Sequence, residues 1–87
     1  MQLKTLFRSQ PTEADLASAQ EASYASWREA SVGVTQAYRS WAAAPGGERF
    51  LAHAAYLAAL DREERAASAY QELVEQRRAG AEATVSW

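Results

Sequence analysis

The sequence predicts an all-α fold: two long antiparallel helices forming a helical hairpin, with enough uncovered surface to favour dimerisation into a four-helix bundle. Three observations predict it. About a quarter of the residues are alanine, mixed with Glu, Arg, Gln and Leu, which is the composition of long helices. The chain is interrupted near its middle by Pro45-Gly46-Gly47. On both sides of that break, large side chains recur at alternating spacings of three and four, the mark of a helical stripe.

Taken in order, residues 1–10 read as an N-terminal tail carrying Leu3, Leu6 and Phe7. A first helix is predicted over 12–44. Thr12 and Asp15 have the spacing of a capping box, and the acids Glu13 and Asp15 suit the positive end of the helix dipole. Ala44 precedes a proline, which disfavours its helical conformation, and 45–47 make the turn. A second helix is predicted over 48–79. Arg77 and Arg78 fall in its last turn, and Gly80 is placed to stop it. Residues 80–87 read as a C-terminal tail. Each helix has about 32 residues and is about 48 Å long; so short a link makes them antiparallel neighbours in one domain, 1–87. The weakest stretch is Ser31-Val32-Gly33-Val34-Thr35, since one interior glycine costs about 1 kcal/mol against alanine.

Two stripes face each other when the chain is folded at the turn. On the first helix they are Gln20, Tyr24, Trp27, Ser31, Val34, Tyr38 and Trp41; on the second, Phe50, His53, Leu57, Leu60, Glu64, Ala67 and Gln71. The expected hairpin core is therefore Tyr24, Trp27, Val34, Tyr38, Trp41, Phe50, His53, Leu57 and Leu60. The expected rungs set Trp41 on Phe50, Tyr38 on His53, Val34 on Leu57, Ser31 on Leu60 and Trp27 on Glu64. Beside each stripe runs another. On the first helix it is made of small residues, including Ala30, Gly33 and Ala37; on the second it holds Tyr56, Ala59, Glu63, Ala66, Tyr70 and Leu73. A lone hairpin buries one seam per helix, so Ala30, Gly33, Ala37, Tyr56, Ala59, Ala66, Tyr70 and Leu73 are the candidate interface. It can be covered by a second copy, by a different helical protein, or by the two tails with Leu3, Leu6, Phe7, Val85 and Trp87.

Little points to chemistry. The chain has no cysteine and one histidine, His53, so it offers neither a thiolate zinc site nor a histidine cluster. Asp61-Arg62-Glu63-Glu64-Arg65 is the densest charged run, with Asp61 and Arg65 spaced as a surface ion pair. Glu63, Glu64 and His53 lack the spacing of a bundle-core metal site. No catalytic residue, metal ligand or cofactor-binding residue is expected, and no cofactor. The formal net charge of −2, from nine basic and eleven acidic residues, gives no electrostatic footprint for nucleic acid. No stretch approaches the roughly 18 apolar residues of a membrane span.

In outline the chain resembles the small secreted WXG-type proteins, helical hairpins that dimerise into four-helix bundles. Trp41 stands just before the turn, where that family places its Trp-x-Gly. The detail departs from the family: Trp41 is followed by Ala42 and Ala43, the glycines come at Gly46 and Gly47, and Val74 stands four residues after Tyr70 where the family's secretion pattern has an acid. The expectation from the residues is a non-enzymatic protein–protein interaction module, a homodimeric adaptor, small regulator or assembly subunit in the cytoplasm. The alternative is a helical partner stable as a heterodimer: a WXG-type protein secreted without a cleavable signal peptide, as the resemblance implies, or a chaperone-like partner.

Overall fold

A computed structural model of the chain describes residues 11–85, and these form a helical hairpin. Helix α1 spans Glu13–Ala43, one 3₁₀ turn covers Gly46–Glu48, and helix α2 spans Arg49–Val85. At the start of α1, Thr12 is extended and both halves of the capping box are made. The Thr12 hydroxyl accepts the Asp15 backbone N–H at 3.0 Å, and the Asp15 carboxylate accepts the Thr12 N–H at 3.1 Å. Two orphan donors of the first turn are thereby satisfied.

Helix α1 is continuous through Gly33. Neighbouring helix-forming residues outweigh the cost of one glycine, and no glycine among the described residues takes a positive φ. The helix ends where Pro45 demands it: Ala44 and Pro45 are both extended, with ψ of 136° and 160°. The Trp41 carbonyl, left open at the helix end, accepts the Ala44 N–H at 3.2 Å and the Arg49 guanidinium at 3.3 Å.

Helix α2 corrects two expected boundaries. It starts at Arg49 because Gly46–Glu48 close a 3₁₀ turn, with the Glu48 N–H donating to the Pro45 carbonyl at 2.9 Å. It also runs past Gly80 to Val85, so 80–85 are helix rather than tail. A glycine stops a helix when it turns left-handed; Gly80 stays helical, and Ala81, Glu82 and Ala83 after it are good helix formers. The tail 1–10 with Leu3, Leu6 and Phe7, and Trp87 at the other end, lie outside the described residues.

The hairpin is a single layer, two helices side by side with solvent on both faces, where a domain usually stacks two layers around its core. Its core is correspondingly thin. Among the described residues only Ala30, 8% exposed, and Ala59, 3% exposed, are buried. No helix of the described residues is long and apolar enough to cross a membrane.

Candidate interaction surface

The seam is built from two aromatic clusters separated by a small-residue waist. Near the turn, the Trp41 ring stacks on Tyr56 with centroids 5.4 Å apart and planes at 22°, and it also packs on His53 at 4.5 Å. Tyr38 meets Trp41 edge-on at 6.1 Å and Tyr56 at 5.7 Å. The Arg49 guanidinium lies 5.8 Å from the Trp41 ring centroid, within cation–π range. At the waist, Ala30 and Ala59 let the helices approach closely, and the Ser31 hydroxyl donates to the Glu63 carboxylate at 2.7 Å. Farther from the turn, Tyr70 meets both Tyr24 and Trp27 at 5.5 Å. Beyond that cluster the closure is polar: Arg77 donates from Nε to Glu13 at 2.8 Å and from Nη1 to Gln20 at 3.0 Å.

These pairs place α2 about one helical turn away from the expected register. Trp41 packs on His53 and Tyr56 rather than Phe50, Tyr38 on Tyr56 rather than His53, Ser31 on Glu63 rather than Leu60, and Trp27 on Tyr70 rather than Glu64. A slide of one turn keeps every three–four spacing, so the spacing alone does not choose between them. The 3₁₀ turn takes up chain before α2 begins, and α2 is also turned about its axis, which sets the neighbouring stripe with the bulky Tyr56 and Tyr70 in the seam.

The candidate interface joins the seam in consequence, and part of the candidate core leaves it. All eight residues of the expected interface are buried or half-buried in the hairpin itself. Tyr56, Ala59 and Tyr70 of α2, with Ala30 of α1, supply its internal packing. Of the expected core, Trp27, Val34, Trp41, His53 and Leu60 are half-buried, while Phe50 is 81% exposed, Tyr38 52%, Leu57 51% and Tyr24 44%.

The exposed members share a face. Two right-handed helices running in opposite directions turn the same rotational flank to the same side of the pair. That side holds Tyr24 and Tyr38 of α1 with Phe50 and Leu57 of α2. On the other side lies a shallow depression lined by small residues, Ser26, Ala30, Gly33 and Ala66, with Glu29 and Arg62 at its rim. Leu51, 71% exposed, stands about 100° around α2 from Phe50, on the other flank of the seam.

Outside the seam, the Asp61–Arg65 pair forms at 2.6 Å as its spacing predicted. Among the described residues no group of three or more His, Cys, Asp or Glu side chains is arranged to hold a metal ion. His53, the lone histidine, is occupied in ring packing on Trp41. Two polar links went unforeseen. For Ser31–Glu63 the signal was a lone carboxylate within the second stripe of α2. For Arg77 it was a cation level with Glu13 across the hairpin. Compared with protein-family models, curated proteins and solved structures, the chain matches none.

Proposed function

We propose that the chain is a non-enzymatic protein–protein interaction module that works as a homodimer, two hairpins pairing face to face into a four-helix bundle, as a small adaptor, regulator or assembly subunit of the cytoplasm. One observation carries this reading: no side chain larger than alanine is buried among the described residues, while Phe50, Leu51, Leu57 and Tyr38 stand more than half exposed. Covering a Phe or Leu side chain contributes about 1.5–3 kcal/mol. Folded proteins hold only about 5–15 kcal/mol in total, so a second layer decides whether this hairpin is stable. A symmetric dimer supplies that layer from the same sequence.

The test is the mass of the purified chain by light scattering after size exclusion, with circular dichroism alongside. A helical dimer is the expected result. A chain that is unfolded or aggregated alone, and becomes helical only on mixing with another helical protein, supports the heterodimeric reading instead.

A further inference from the structure

We infer that the self-association site is the turn half of the hairpin on the Phe50 face, and that its occupant is the same turn half of a second copy. The inference rests on the homodimer proposed above and assigns its contact surface.

The first observation is a gap in the charge pattern. From Phe50 to Leu60 α2 has no acidic or basic residue on any side, His53 aside, and Ala30 to Tyr38 of α1 has none either. The gap closes abruptly at Asp61. A helix without charge around its circumference is one that is covered on more than one side. In the hairpin only one side of this stretch is covered, by Trp41 and Tyr38 packing on His53 and Tyr56. Phe50 and Leu57, one heptad apart, remain open.

The second observation concerns reach. Tyr56 contacts Tyr38 and Trp41, which sets Leu57 level with about residue 37 of α1. That point is about 39 Å along the helix from Pro11. Leu3, eight residues before Pro11, extends at most about 28 Å, and Leu6 and Phe7 less. Val85 is about 42 Å from Leu57 in the other direction along α2, and Trp87 adds two residues. Leu3, Leu6, Phe7, Val85 and Trp87 therefore all fall short of Leu57.

The third observation is size. Aromatic side chains present about 150–250 Å² each. Phe50, Tyr38 and Leu57, at 81%, 52% and 51% exposed, leave on the order of 350 Å² open, and the edges of the half-buried Leu60 and His53 raise this toward about 500 Å². Two copies together hide about 1,000 Å², the size at which a biological contact begins and the range of weak, reversible ones. Tyr38 and Leu57 stand nearly level on the two helices of this face, so a two-fold axis along the hairpin sets Leu57 of one copy against Tyr38 of the other. Apolar then meets apolar in both halves of an isologous contact, and the charged distal ends stay in water.

Sedimentation equilibrium of the full chain tests this, with circular dichroism confirming that each variant keeps its helix content. Phe50→Glu and Leu57→Glu are expected to weaken the dimer at least about tenfold. Leu51→Glu makes the same change on the other side of α2, and Gln71→Glu adds charge farther along the same stripe. Both are expected to leave the dissociation constant within about threefold. A dimer indifferent to Phe50→Glu and Leu57→Glu, or equally weakened by Leu51→Glu, overturns the site and leaves the homodimer standing. A wild-type chain that stays monomeric at about 200 µM overturns the homodimer itself. A monomer that instead sediments with phosphatidylcholine vesicles, and loses that on Phe50→Glu, assigns the patch to a lipid surface and overturns the proposal.

Discussion

The two halves of the hairpin are closed by different means. The turn half, residues 30–60, carries three formal charges, Arg39, Glu48 and Arg49, and is held by rings: Trp41 on Tyr56 and His53, with Tyr38 at their edge. The distal half carries fifteen, spread over 12–29 and 61–85. It has one ring cluster around Tyr70 and then relies on Arg77 bridging to Glu13 and Gln20. A half that holds itself with rings and few charges has little to keep its outer surface wet, and that half leaves Phe50 and Leu57 open. In the proposed homodimer this difference puts the contact at the turn end and the charged surface at the other.

The largest expected effect comes from removing the ring that most contacts converge on. Trp41→Ala deletes the partner of Tyr38, Tyr56, His53 and Arg49 together. It should cost about 3 kcal/mol, the lower end of core aromatic truncations because Trp41 is only half-buried. In a domain of this size that is a fall in melting temperature on the order of 12–24 °C, to be measured at one fixed protein concentration. Trp27→Ala, which loses Tyr24 and Tyr70 but leaves the Arg77 links in place, should cost about 2 kcal/mol. If Trp27→Ala proves the costlier, the contrast between the halves is reversed.

The waist between them is expected to respond more weakly. Ser31→Ala leaves the half-buried Glu63 carboxylate without its donor, at a cost of about 1.5 kcal/mol. A double-mutant cycle with Glu63→Ala should recover a coupling of about 1 kcal/mol. Additive losses would show that the 2.7 Å hydrogen bond contributes nothing beyond solvation.

At Gly33 the expected sign is the opposite. A Cβ built there meets nothing within 4 Å, and the backbone is helical, so Gly33→Ala should stabilise by about 0.5–1 kcal/mol in thermal or urea melts. The bulkier Gly33→Leu should leave self-association unaltered, since it enlarges the face opposite Phe50. Loss of the dimer on that change would move the interface to the small-residue depression.

Much of this fold is legible in the sequence because it depends on local signals. Thr12 and Asp15 can cap only the residues that follow them, and Pro45 with two glycines can only interrupt. The register depends instead on side chains forty residues apart, and a stripe of three–four spacings matches its partner equally well one turn along. What decides between registers is three-dimensional: Ala30 and Ala59 are the residues the seam buries, and Tyr56 and Tyr70 pack beside the rings of α1. The candidate interface entered the seam, and Phe50, Leu57, Tyr24 and Tyr38 became exposed, because α2 is turned about its axis as well as displaced. The helix end was misread because Gly80 weighs only about 1 kcal/mol against the helix formers around it.

The smallest expected effect sharpens the comparison through salt. Arg77 is one-third exposed and its partner Glu13 two-thirds exposed, so their ion pair belongs to the class that contributes about 0–1 kcal/mol. Arg77→Gln should cost about 0.5 kcal/mol at low ionic strength. It should cost nothing measurable near 1 M salt, where the screening length falls to about 3 Å. Trp41→Ala should lose the same stability at both salt concentrations, because ring packing carries no net charge to screen. Melting both variants in low and high salt therefore separates the two halves by mechanism as well as by magnitude. An Arg77→Gln loss that persists undiminished in high salt would mean that the guanidinium acts through packing over Gln20, and that both ends of the hairpin are closed by the same physics.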